Sequence, residues 1–223
     1  MVNSKHAFWQ ALLFTIFIFV IGLMVGLFIE NMRATNFEGQ VSSSETALLD
    51  EQIRNNIISD SNLSCDIILN STFSFADRIY GQAQSLEKYD SVSQLSDSLR
   101  EIHKRYDLLR ILLWNEMQNS QKRCKYQNVH TVVYFFNYNA GDLKTKSVQS
   151  AFSHLLTDLK NKYPDNVILI PVASNLNIGS INLILNKYNI STSPALLIDD
   201  KKVISDLPSF QELEHIVLQS NKE

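Results

Sequence analysis

The sequence predicts an α/β protein in three parts: an N-terminal transmembrane helix, an antiparallel helical hairpin and a C-terminal α/β sandwich. Residues 11–29, "ALLFTIFIFVIGLMVGLFI", carry no formal charge. Residues 65–119 place apolar side chains at helical spacings. From residue 128 onward, β-branched and aromatic runs alternate with amphipathic ones. Those are the signatures of a bilayer span, of helices buried on one face, and of layers packed around one sheet.

Composition narrows the function. The formal charge is −3 and the pI about 6.0, which leaves no basic face for nucleic acid. Hydrophobic residues make up 45% of the chain, with only six glycines and four prolines, as expected of folded structure.

After a short flank, 1–10, the 11–29 run comes close to the ~30 Å hydrocarbon thickness when wound as a helix at ~1.5 Å per residue. A cleavable signal peptide has a shorter apolar region, ~7–15 residues, and a small-residue cleavage site. The "ENMRATNF" that follows has no such site. The run therefore reads as a signal anchor, crossing the membrane once and touching lipid through residues 11–29. Lys5 and the amino terminus precede it, while Glu30, Arg33 and Glu38 follow. That bias puts the C-terminal domain on the extracytoplasmic side. Gly22 and Gly26 form a GxxxG pattern, read as ordinary glycine usage in membrane helices rather than as a dimer seam. Asn62, Asn70 and Asn189 each open an N-x-[ST] triplet and are candidate glycosylation positions, although an Asn- and Ser-rich chain produces such triplets by chance.

Residues 30–44 read as a polar linker and 45–124 as a helical region. Ser42 and Glu45 have capping-box spacing, which predicts a short helix behind them. The hairpin follows over 65–119. Cys65, Ile68, Thr72, Phe75, Ile79, Ala83 and Leu86 share one helical face, and Leu95, Leu99, Ile102, Tyr106, Leu109, Leu113 and Met117 share another. A turn in "KYDSVSQ", with Ser91 and Gln94 again at capping-box spacing, makes the two helices antiparallel neighbours. The hairpin is expected to act as a spacer for the C-terminal domain, a partner-binding coiled coil being the alternative.

Cys65 and Cys124 flank this hairpin. In an oxidising compartment they suggest one disulfide, stabilising by roughly 2–4 kcal/mol; in a reducing one they are ordinary thiols. Folding the hairpin about residues 90 and 91 sets Cys65 level with Glu116, and eight further helical residues span ~12 Å, too far for a disulfide. A bond therefore requires the chain to leave the second helix near Asn119 and Ser120 and fold back.

In the C-terminal half, "VHTVVYFF" and "NVILIPV" read as buried strands and "KSVQSAFSHLLTDLKNKY" as a helix with Val148, Phe152, Leu155, Leu156 and Leu159 inward. "GSINLILNKYNI" is a second helix, "ALLIDD" and "KKVIS" form strands turning at Asp199 and Asp200, and Ser209 with Glu212 caps a last helix.

At Lys187, Tyr188, Ile190 and Pro194, followed by Leu196, Leu197 and Ile198, the chain resembles the second half of the thioredoxin fold. The resemblance covers about 128–219. It implies a cis Ser193–Pro194 bond and a peptide-binding role for Ser193 and Pro194, with Ser193 offering its backbone to an extended ligand. It also aligns Ala140, Gly141, Asp142 and Leu143 with the family's C-x-x-C. Dithiol exchange needs an attacking and a resolving thiol, and no cysteine follows Cys124. The expectation is a redox-inactive member.

Other chemistry finds little support. His6, His103, His130, His154 and His215 show no paired-ligand spacing, and there is no GxSxG, phosphate loop or dinucleotide fingerprint. No cofactor and no metal are expected. The leading expectation is a membrane-anchored binding or assembly module for a peptide or protein partner. The alternatives are a thiol–disulfide oxidoreductase using Cys65 and Cys124, and a structural scaffold acting through the hairpin.

Overall fold

The computed structural model describes residues 4–60, 62–90, 97–126 and 128–220. They form α1 (Ser4–Asp60), α2 (Cys65–Asp90), α3 (Asp97–Cys124), β1 (His130–Phe136), α4 (Leu143–Lys162), β2 (Val167–Ala173), α5 (Gly179–Lys187), β3 (Ala195–Ile198), β4 (Lys202–Ile204) and α6 (Phe210–Gln219). The chain divides into two units, Met1–Thr46 and Ala47–Glu223.

In the first unit, Phe8–Ile29 is long and apolar enough to cross a membrane, with a mean hydropathy of 3.0 and no buried side chain. The expected flank and linker are not separate pieces. Backbone hydrogen bonding is helical from Ser4 to Asp60, so residues 30–44 are helix, and Ser42 and Glu45 lie inside α1 rather than at a cap. Polarity alone does not break a helix in the absence of Pro.

The second unit is built around a four-stranded sheet in the order β2-β1-β3-β4, with β1 and β2 parallel and the other pairs antiparallel. Side chains alternate across the pleat. Val133 and Phe135, with Ile168, Ile170, Ala195 and Leu197, enter one core together with Phe75, Leu109, Leu113 and Trp114 of the hairpin and Ile181 of α5. Val132, Tyr134, Leu196 and Ile198 enter the other with Phe152, Leu156 and Leu159 of α4 and Leu213 and Val217 of α6.

The hairpin therefore packs on the sheet as a layer and is not a piece separate from it. Ile68, Thr72, Phe75, Ile79, Leu99, Ile102, Leu109, Leu113 and Met117 are buried as predicted. Ala76, Asp107, Arg110, Trp114 and Glu116 are buried as well, because α3 packs on the sheet as well as on its partner helices. The side chains of Ala83 and Leu86, and residues Ser91, Gln94 and Leu95, lie outside the described residues.

Cys65 and Cys124 are disulfide-bonded, with Cα atoms 5.7 Å apart. The expected fold-back at Asn119 and Ser120 is absent, since α3 is helical through Cys124. A turn centred on residues 90 and 91 is a few residues too early for this pairing. Helix α2 ends at Asp90 and α3 begins at Asp97, and the disulfide sets the first residue of α2 beside the last of α3.

The C-terminal end of α1 joins this bundle through polar contacts. Arg54 pairs with both Glu51 and Glu116 and donates to Ser71 Oγ at 2.6 Å. Arg78 also pairs with Glu51, Thr72 donates to Glu116, and the Arg54 guanidinium lies 4.7 Å over the Phe75 ring. Each carboxylate is satisfied by charge-assisted partners, the condition for tolerating charge in such a place.

The outer edge of β2 is closed by side chains. Lys160 Nζ donates to Val167 O at 2.8 Å, and the Tyr80 hydroxyl accepts from Leu169 N at 2.8 Å while donating to Leu169 O. Pro171 has no N–H, and Ala173 N donates to Asp107 Oδ2 at 3.1 Å. An edge treated this way does not template another strand.

Candidate functional site

The loop from Asn137 to Asp142 connects β1 to α4, and two amide side chains hold it. Gln149 of α4 accepts from Asn137 N at 2.8 Å and donates to Asn137 O at 3.2 Å. Asn175, after β2, accepts from Tyr138 N at 2.8 Å and donates to Tyr138 O at 2.9 Å. Each amide pairs with the main chain as a neighbouring strand would, so two consecutive residues are fixed without a ladder. Asn139 follows in the left-handed region at φ 52°, where Asn is the best tolerated residue after Gly.

Across the end of β1, the Ser193–Pro194 peptide bond is cis. The β1–β3 register sets Ala195 beside Phe135, so Ser193 and Pro194 lie next to where the loop departs. Ser193 Oγ is 2.7 Å from Ser174 Oγ, and Ser174 Oγ donates toward Phe136 O at 3.0 Å. Among the described residues, no backbone hydrogen bond uses the N–H or C=O of Ser193.

Ala140, Gly141, Asp142 and Leu143, which the resemblance aligns with a C-x-x-C, differ in their surroundings. Ala140 is buried and Gly141 exposed. Asp142 is the N-cap of α4, its carboxylate accepting from Thr145 N at 2.8 Å, and that bond holds its pKa below the ordinary value. The helix terminus, which would favour a thiolate, is thus already occupied by a carboxylate. Leu143, 83% exposed, presents an apolar side chain to solvent at the start of α4.

Helix α3 reaches the same end of the domain. The His103 and Tyr138 rings are 4.4 Å apart, and Asp107, besides accepting from Ala173 N, pairs with Arg110 Nη1 at 2.9 Å. Burial, opposed chiefly by Arg110, raises the Asp107 pKa. The cystine lies at the other end, beside the start of α2 and the end of α3.

That far end also gathers His130, Asp199 and Ser220, a set that superficially suggests nucleophilic catalysis. His130 Nδ1 is 2.8 Å from Asp199 Oδ2 and 3.3 Å from Ser220 Oγ, and Ser220 donates to the same carboxylate. A triad needs base and orienting group on opposite ring nitrogens; here both partners share Nδ1. The set fastens the β3–β4 turn to β1 and α6. Asp200 performs the same task toward α3, accepting from Trp114 Nε1 at 2.6 Å and Gln118 Nε2 at 2.9 Å.

Asn62, Asn70 and Asn189 are all exposed, but Thr72 of the second triplet is buried against Glu116. No cluster of three metal-ligating side chains occurs among the described residues. Sequence reasoning missed Gln149, Asn175 and Ser174. Polar residues at the ends of elements are common, and nothing local marks these as loop clamps.

No protein-family model matches the chain, and no curated protein matches it. Among solved structures it is similar to thioredoxin O2 from Arabidopsis thaliana in the oxidized state, with 22% identity, 48% of this chain and 84% of that chain covered, and a TM-score of 0.32. The likeness concerns the fold of that segment and carries no inference about activity.

Proposed function

We propose that the chain is a membrane-anchored binding module, a thioredoxin-like domain without its dithiol that holds an extended peptide or protein segment outside the cytoplasm. The observation that carries this reading is the clamped Asn137–Asp142 loop beside Ser193, whose backbone N–H and C=O make no backbone hydrogen bond among the described residues. A clamped loop beside the unbonded main-chain groups of Ser193 lowers the ordering cost of capturing an extended chain. Exposed Leu143 adds an apolar contact, and the Ser174 and Ser193 hydroxyls and the Asn175 amide beside the loop are uncharged. The extracytoplasmic location is favoured by the cystine and by the charge bias around residues 11–29.

The test uses the full-length chain in membranes with a photo-crosslinking residue at Leu143. Polypeptide crosslinks are expected there and should fall when Gln149→Ala and Asn175→Ala release the loop. Capture unaffected by both substitutions counts against the loop as the binding element. Cys65→Ser should leave capture intact, because the cystine lies at the other end of the domain. Loss of capture together with loss of a thiol-exchange activity would favour the oxidoreductase reading instead.

A further inference from the structure

Closure of the outer β2 edge leaves one main-chain acceptor uncovered. Along a strand, alternate residues turn their N–H and C=O to the same side. Val167, Leu169 and Ala173 turn theirs away from β1, to Lys160, Tyr80 and Asp107 respectively. Pro171 belongs to that outward set, and no described residue donates to its carbonyl. Beside it, Pro171 lines a cavity of about 30 Å³ together with Ala76 and Tyr80 of α2 and Arg110 and Leu113 of α3. Arg110 is only 8% exposed, and its Nη1 is held by Asp107. Its Nε is buried and has no hydrogen-bond partner among the described residues. A buried charged N–H left in that condition is costly, so a partner is expected.

We infer that this cavity is a binding site for water, in which a bound molecule accepts from Arg110 Nε and donates to Pro171 O. The two groups ask for an occupant that both accepts and donates. The cavity exceeds the ~10–15 Å³ that one water needs and is far too small for an organic ligand. An anion would lie against the Pro171 carbonyl, and Asp107 already balances the Arg110 charge. A cation would face the guanidinium. Water alone suits both partners. It also closes the interval between the Tyr80 and Asp107 contacts, so that the outward groups of β2 from Val167 O to Ala173 N are all engaged. An edge completed in this way offers no free acceptor to an added strand. The site is independent of the peptide-binding reading.

The experiment uses the full-length chain in detergent micelles, with isotopic nitrogen in its arginines and the Arg110 Nε–H resonance assigned by its loss in Arg110→Lys. That proton should show a cross-peak to water of opposite sign in laboratory-frame and rotating-frame NMR spectra, the mark of a bound water rather than of proton exchange. Ala76 is buried in the cavity wall, so Ala76→Val takes up the space. The cross-peak should vanish in that variant while the Arg54 resonance, which reports the folded bundle, stays in place. No cross-peak at the assigned wild-type resonance means a dry cavity and overturns the inference, so the wild-type spectrum decides even if Ala76→Val fails to fold. A cross-peak that survives in folded Ala76→Val puts the water elsewhere and overturns it too. Replacing chloride by gluconate should leave the Arg110 resonance unmoved; a shift identifies an anion as the occupant and likewise overturns the inference.

Discussion

Burial at individual carboxyls sets a pH dependence opposite to the familiar one. Burial raises the pKa of Asp107, Glu116 and Asp200 above their ordinary values, and in each it outweighs the favourable hydrogen bonds and nearby cations. The folded state therefore binds more protons than the unfolded one in the window from the ordinary carboxyl range up to those raised values. Stability from these groups is full below that window and falls as pH rises through it. Glu101 and Asp142 shift downward, but both are exposed, and such solvent-facing contacts contribute little. Asp107→Asn should flatten the pH slope of the urea midpoint in the fragment 47–223; an unchanged slope would assign the dependence elsewhere. Tyr80 offers a second test. Its hydroxyl satisfies both main-chain groups of Leu169, so Tyr80→Phe should cost about 1–3 kcal/mol in denaturant unfolding and promote association through the unmasked edge, read by light scattering.

Among the elements, α2 and α3 have the largest effect on what the domain is. Their apolar positions were legible from spacing alone, because a helix buried on one side must repeat near 3.6 residues. What they bury against was not legible, since the same stripe serves a coiled coil or a sheet. Trp114 shows the difference: it lies off the predicted stripe, yet it packs on Phe135 and Tyr188 and bonds to Asp200. Reduction of the cystine, or Cys65→Ser, removes a cross-link closing a separation of 59 residues. The chain-entropy model gives that about 4 kcal/mol, so the urea midpoint should drop markedly in reductant. A midpoint that does not move would mean that the hairpin is held by packing alone.

For the molecule as a whole, the two units make separate predictions. Fragment 47–223 should be soluble and cooperatively folded, while the full chain should partition into detergent through Phe8–Ile29. Fragment 128–219, which the sequence singled out as a domain, should instead aggregate. Without α2 and α3 it exposes Val133, Phe135, Ile168 and Ile170 and uncovers the β2 edge. A soluble, cooperatively unfolding 128–219 would return the hairpin to the role of spacer.

The sequence by itself determined the apolar span, the amphipathic faces and the strand–helix order, because charge, period and turn residues act over short distances. It also determined the lack of sulfur around Ala140–Leu143, since that is a matter of composition. The tertiary structure alone decided that the hairpin covers the sheet, that Cys65 meets Cys124 without a fold-back, and that Gln149, Asn175 and Ser174 converge on one loop. Those outcomes depend on which distant surfaces and polar groups satisfy one another, and no local pattern encodes that pairing.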